Sequence, residues 1–218
     1  MKNVIKRKIT RIITHKDLRF AVYLRWSILL SMLTALFKVT AGLLTDSSWF
    51  LFAGLYYSIL CVARIFLAHE NKELKKKKYK NERFLRSFRD YRYTGFILMV
   101  LTLPYLLMCV RMFRYGEFEE YVIFLLTASA IIALIKLLLS CIGFYNTMEL
   151  HSPIISAVKR INLCDALVSI AITQAMLSAF FCDGRFTPFS LFCGVSTAVI
   201  SFVLGYMMFN KRPKARRK

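Results

Sequence analysis

The chain has 218 residues, a net charge of +20 and a hydrophobic fraction of 57%. Soluble domains are about 45–50% apolar, with apolar and polar residues mixed, but here the apolar residues form long blocks and the charges lie between them. That segregation excludes an ordinary soluble domain. It also excludes a nucleic-acid partner, because the basic residues flank apolar blocks rather than alternate with stacking aromatics. Blocks of roughly 20 apolar residues suffice to cross a bilayer.

The blocks predict an all-α, polytopic integral membrane protein with six transmembrane helices. A basic N-terminus, residues 1–19, comes first. The transmembrane domain covers 20–209, and a basic tail, 210–218, follows. The helices are expected at 20–44, 48–68, 94–113, 121–147, 153–181 and 188–209. Proline starts helices five and six and lies inside helix three, where a spanning helix tolerates it as a kink.

The long connection 69–93 is strongly basic. Its last arginines recur every third residue, which places them near one stripe of a helix beside Phe84, Leu85 and Phe88. This pattern predicts either a basic amphipathic helix on the membrane surface or a solvated loop. Anionic headgroups favour nearby basic side chains by about 1 kcal/mol each. The predicted lipid contacts are Lys75, Lys76, Lys77, Lys78, Arg86 and Arg89.

The distribution of basic residues predicts the orientation. Of the 32 lysines and arginines, 25 lie in residues 1–19, 69–93, 148–160 and 211–218. The opposite connections hold only Arg114 and Arg185. By the positive-inside rule, we expect both termini to be cytoplasmic. We also expect the protein to reside in the plasma (inner) membrane.

Ionisable residues inside the spans are candidates for function. Arg25 and Arg64 lie near the inner boundary, where we expect them to extend to the headgroups. Lys38 lies near the outer end of helix one, within reach of Asp46 or the headgroups.

Lys136 lies deeper, and Asp165 lies five residues beyond Arg160, about 8 Å from the inner boundary. Lys136 is about 22 Å from the start of its helix at 1.5 Å per residue, and its side chain can meet Asp165. Two interpretations stay open for Asp165: a structural ion pair with Lys136, and an ion or proton site.

Two stretches show a family resemblance. Residues 38–61 read KVTAGLLTDSSWFLFAGLYYSILC, and residues 152–169 read SPIISAVKRINLCDALVS. They resemble the first hairpin and the fifth helix of the cation diffusion facilitator family, which exports Zn²⁺ and similar ions. The resemblance implies a cation-efflux-like bundle of six helices with inner termini. Because only eight residues follow Asn210, we expect this bundle to lack the family's cytoplasmic domain.

The resemblance also implies a metal site made of two i,i+4 pairs, one on helix two and one on helix five. The corresponding positions here are Tyr57, Cys61, Ile161 and Asp165. Isoleucine has no donor atom, and tyrosine is a poor ligand near neutral pH because its unperturbed pKa is about 10. Cys61 and Asp165 remain as metal ligands, with Tyr57, Ser58 and Ser169 lining the site. Two ligands predict weak divalent cation binding and no resident cofactor.

Three functions are compatible with these residues. One is a divergent cation-efflux-like transporter that moves an ion or small solute through a degenerate site. Another is a non-transporting scaffold or regulatory partner that keeps the fold. A membrane-embedded enzyme is not favoured, because the spans carry neither HExxH nor paired acids and the three histidines lie in inner segments. The expected partners are a bilayer with anionic headgroups and a second copy in a homodimer.

Geometry can separate the first two functions. Direct contact between Lys136 and Asp165, with Cys61 far away, would favour the inert relative. A hydrated cavity lined by Tyr57, Ser58, Cys61, Asp165 and Ser169 would favour transport.

Overall fold

A computed structural model of the protein describes residues 16–44, 48–76, 80–115, 123–146, 152–181 and 187–211. Each of these ranges is almost entirely one helix, and no strand occurs within them. The helices are α1 (Lys16–Leu44), α2 (Ser48–Lys76), α3 (Lys80–Tyr115), α4 (Ile123–Asn146), α5 (Pro153–Phe181) and α6 (Pro188–Asn210).

All six helices contain a segment long and apolar enough to cross a membrane. Their outward faces carry large apolar side chains that no other helix covers. Examples are Leu43, Leu107, Tyr145, Phe181 and Phe192. A soluble fold would bury such side chains away from water, whereas the hydrocarbon of a bilayer solvates them. A bilayer also requires the backbone groups to hydrogen-bond within the protein, as they do in these helices. The prediction of an all-α integral membrane protein with six spans is confirmed.

The predicted loop 69–93 differs from the structure. Helix α2 continues through residues 69–76, and α3 begins at Lys80 as one helix with its membrane span. The two extensions are joined by Arg86, whose guanidinium contacts both carboxylate oxygens of Glu70 at 3.0 Å. Residues 69–76 and 80–93 therefore form neither a separate surface helix nor a solvated loop, the two interpretations left open by the sequence. Charged residues extend helices readily, since Lys, Arg and Glu have high helix propensity.

Local signals at proline were interpreted correctly. Helix α3 is continuous through Pro104, and α5 begins at Pro153, with the Ser156 amide donating to the Ser152 carbonyl at 3.1 Å. Helix α6 begins at Pro188 and has an N-cap that sequence inspection missed, Thr187, whose hydroxyl accepts from the Ser190 amide at 3.3 Å.

The helices form two groups. Helix α1 packs on α2 and α4 packs on α5, while α1–α4 and α2–α5 contacts close these pairs into a four-helix group. Helices α3 and α6 form the most extensive pair, which lies against the group through α2 and α5. Helix α5 contacts four other helices and presents many small side chains to them, among them Ala157, Ala166, Ala171, Ala175 and Ala179.

Glycines allow a close crossing between α3 and α6. A Cβ added to Gly95 would lie 2.7 Å from the carbonyl oxygen of Gly205 and 2.9 Å from the amide nitrogen of Phe209. A Cβ added to Gly205 would lie 2.8 Å from the Gly95 carbonyl oxygen. These neighbours are backbone atoms, which cannot move aside as a flexible side chain would. Close approach through small residues is how membrane helices gain packing energy.

We expect Gly95→Ala to destabilise the protein by about 1–3 kcal/mol, the usual cost of overpacking. The sign of the change in stability is informative, because at a helix position with free space around it Gly→Ala stabilises the helix by about 1 kcal/mol. Thermal melting of the detergent-solubilised protein measures it, with the lipid-facing Val199→Ala as the control on α6. A Gly95→Ala protein that melts at or above the wild-type temperature would contradict the close crossing.

Candidate functional site

Polar side chains form stripes along the inward faces of the four-helix group. On α1 they recur at intervals of three or four residues, so they share one face. The members of this stripe are Tyr23, Ser27, Ser31, Thr34 and Lys38. Helix α5 contributes Asn162, Asp165 and Ser169, also at helical spacing. Because the group is closed, these stripes meet in its interior.

The centre of the site is a buried triad of charges from three helices. Asp165 on α5 accepts from Arg64 Nη2 on α2 at 2.5 Å and from Lys136 Nζ on α4 at 2.7 Å. The three residues are 3%, 1% and 5% exposed, respectively. Each carboxylate oxygen thus binds one cation, and the triad retains one excess positive charge.

A shell of hydrogen bonds orients Arg64. Its Nε donates to the Asn162 side-chain oxygen at 3.0 Å, and its Nη1 donates to the Ser31 hydroxyl. The same Asn162 oxygen accepts from the Ser27 hydroxyl at 2.9 Å, and the Asn162 amide donates to the Tyr23 hydroxyl. Helix α1 thereby joins the three helices of the triad.

Tyr57 lies on the other side of Lys136. The Lys136 ammonium is 3.8 Å from the centre of the Tyr57 ring, close enough for a cation–π interaction. The Tyr57 hydroxyl is 2.9 Å from the Ser169 hydroxyl. The predicted lining residues Tyr57 and Ser169 are therefore together, but Tyr57 packs on Lys136, and neither residue lines the cavity described below.

A small cavity of about 10 Å³ lies beside the triad, on the side of α1. That is near the lower limit for a cavity that holds one water molecule. Its lining is mostly polar and includes all three charges. The lining residues are Tyr23, Ser27, Leu30, Ser31, Arg64, Lys136, Leu139, Ser140, Asn162 and Asp165.

The predicted metal ligands have other partners. Cys61 is buried, with its sulfur 4.0 Å from the Ile28 carbonyl oxygen, and Ser58 donates to the Gly54 carbonyl of its own helix. Both Asp165 oxygens are occupied by cations. Within the described ranges, no three His, Cys, Asp or Glu side chains cluster closely enough to hold a metal ion.

The ion pair predicted between Lys136 and Asp165 is present, whereas the prediction for Arg64 was wrong. Arg25 is exposed, as expected for a side chain that extends to the headgroups, but Arg64 turns into the bundle. Its spacing could have revealed this, because Tyr57, Cys61 and Arg64 follow one another at intervals of four and three on the same helix face.

Lys38 is also buried, 4% exposed, with its ammonium 5.2 Å from the centre of the Phe50 ring. No acceptor in the described part of the chain hydrogen-bonds it. Asp46, one of its predicted partners, lies outside the described residues.

Of the predicted lipid contacts, the structure describes the side chains of Arg86 and Arg89. Arg89 is exposed, and Arg86 is bound to Glu70. The side chains of Lys75 and Lys76, and all of Lys77 and Lys78, lie outside the described residues.

No protein-family model matches this sequence, and no curated protein is significantly similar to it.

We expect Asp165→Asn to destabilise the protein by about 3–5 kcal/mol, the usual cost of removing one partner of a buried ion pair. The variant leaves two buried cations without a counterion. The matched control is Lys136→Met, which leaves the balanced pair of Arg64 and Asp165 and should cost less. Thermal melting in detergent compares the two, and equal melting temperatures for Asp165→Asn and the wild type would contradict this account of the triad.

Proposed function

We propose that this protein is a membrane transporter that moves an ion or small solute through the polar core of α1, α2, α4 and α5. The observation that carries the proposal is the triad of Arg64, Lys136 and Asp165, buried among polar side chains and beside a cavity. Charged residues inside membrane spans are costly, and they commonly mark the path of a substrate or ion.

The depth of the triad supports this role. Lys136 is 13 residues from the start of α4, about 20 Å at 1.5 Å per residue, and Asp165 is five residues beyond Arg160, the last basic residue of the inner connection, about 8 Å. Both lie well inside helices that are about 36–44 Å long.

The balance of charges also supports a working site over a structural one. Replacing a buried ion pair by apolar side chains is often neutral or stabilising, so such a pair is weak evidence of a stabilising role. Here the cluster includes a second cation, Lys136, in addition to the Arg64–Asp165 pair. A purely structural pair would not need it.

A second candidate function, a non-transporting scaffold or regulatory partner, is favoured by the direct contact of Lys136 with Asp165 at 2.7 Å. Because of that contact, this carboxylate oxygen of Asp165 is not available to bind a metal ion. The cavity beside it shares only Asp165 with the cavity lining that would have favoured cation transport.

The remaining expectations belong to the same proposal. A divergent relationship to the cation diffusion facilitator family is supported by the stretches 38–61 and 152–169. An even number of spans and the basic connections support cytoplasmic termini in a plasma (inner) membrane. The proposed partners are anionic lipids, through the basic residues of 75–89, and a second copy in a homodimer.

Uptake into proteoliposomes tests transport. The panel contains Zn²⁺, Mn²⁺, Fe²⁺, Co²⁺, halides and small carboxylates, and we expect saturable uptake of at least one. Ser31→Ala should lower that uptake about tenfold, since a hydrogen bond to a charged group contributes about 1.5–3 kcal/mol. Ser31 is suited to the test because it contacts Arg64 without carrying charge.

Thr40→Ala is the matched control on α1, because Thr40 is exposed and its hydroxyl donates only to carbonyls of its own helix among the described contacts. It should transport as the wild type does. If no solute of the panel moves and Ser31→Ala alters only the melting temperature, transport of these solutes is contradicted and the scaffold is favoured.

A further inference from the structure

Buried charge in the four-helix group is unbalanced. Its interior holds Arg64, Lys136 and Lys38, each at most 5% exposed, and Asp165 is the one buried carboxylate that the described residues place there. The other buried acids, Glu70 and Asp90, lie towards the cytoplasmic connection of α2 and α3. Three cations and one carboxylate leave an excess of two positive charges. In a medium of low dielectric constant such an excess attracts a counterion.

The cavity also has an excess of hydrogen-bond donors, which favours an anion as the excess of positive charge does. The contacts described above use three of the five N–H groups of Arg64 and one of the three of Lys136. Tyr23 accepts from Asn162 through its hydroxyl oxygen, so its own O–H remains able to donate. The cavity is lined by two cations, by O–H and N–H donors, and by the Asp165 carboxylate, both of whose oxygens are bound to the cations. The excess of positive charge and of donors suits an acceptor with negative charge.

Cavity size restricts the ligand. About 10 Å³ is near the lower limit for one water-sized particle, so a monatomic anion needs far less expansion of the cavity than a carboxylic acid or a phosphate ester does. We propose that the cavity between α1, α2, α4 and α5 binds a small monovalent anion of halide size, held by Arg64 and Lys136. This inference rests on the proposed function, because it names the class of solute that the transporter carries.

Lys38 extends the site along α1. It follows Ser31 by seven residues on the same stripe, about 10 Å farther along the helix axis. Its ammonium has no hydrogen-bond acceptor in the part of the chain that the structure describes. Lys38 does not line the cavity, but it adds a second positive charge without a counterion between the cavity and the end of α1 that leads to α2.

Binding is tested without transport. The purified full-length protein is melted in sodium bromide or chloride and, at equal ionic strength, in sodium gluconate, whose anion is too large for the cavity. We expect halide to raise the melting temperature by about 3 °C or more, with saturation, because a ligand that binds only the folded state stabilises it. A wild-type protein that melts at the same temperature in all three salts would overturn the proposal.

Lys136→Met is the decisive variant. It leaves Arg64 and Asp165 as a balanced pair, so we expect it to remain folded in gluconate and to lose the halide response. Lys211→Met is the matched control, since Lys211 is an exposed cation at the end of α6, and it should respond as the wild type does. A Lys136→Met protein with the full halide response would contradict the site. If that variant does not fold, Lys38→Met replaces it, with at least a fivefold weaker apparent affinity expected.

The outcomes separate this inference from the proposed function. Saturable halide binding without uptake of any solute in the panel would support the anion site and contradict transport. Uptake of a metal ion or carboxylate by a protein that shows no halide response would support transport and contradict the anion site. Halide uptake that Lys136→Met abolishes would support both.

Discussion

The carboxylate of Asp165 is shared by two cations from different helices, Arg64 on α2 and Lys136 on α4. In the hydrocarbon interior there is no water to solvate these charges, so each depends on the others for its counterion. The register of α2, α4 and α5 is thereby coupled at one point. The register of helix α1 is coupled to the same point, because Tyr23, Ser27 and Ser31 complete the hydrogen bonds around Arg64 and Asn162.

The other half of the molecule is built differently. Helices α3 and α6 meet through Gly95 and Gly205, with backbone close to backbone, and their contact is mainly one of shape. Two kinds of interaction thus divide the bundle. Polar pairing organises the group that contains the cavity, and tight apolar packing joins the α3–α6 pair. Helix α5 contacts helices of both groups, which places Asp165 on the element that connects them.

The candidate site was predicted in part. Asp165 and its pairing with Lys136 followed from the depth of both residues in apolar segments, because a charge so placed needs a partner. Tyr57 and Ser169 were expected near one another and are hydrogen-bonded. Arg64 was predicted to extend to the headgroups because it lies near the inner end of its apolar segment. The prediction was wrong because the direction of the side chain depends on how α2 is rotated against α1 and α5. That rotation is a tertiary property. It also changes the chemistry, since a guanidinium stands beside the carboxylate expected to bind a metal ion.

The amino-acid sequence by itself determined the six spans, the prolines that begin α5 and α6, and the all-α class. These features follow from local hydropathy and backbone chemistry, which act within one segment. It also determined that Lys136 and Asp165 need counterions. Only the tertiary structure decided which charges meet, that α2 and α3 continue through the predicted loop, and that the interior carries excess positive charge. These outcomes depend on how helices far apart in the chain are rotated against one another. The distance of a side chain from the end of its helix does not specify that rotation.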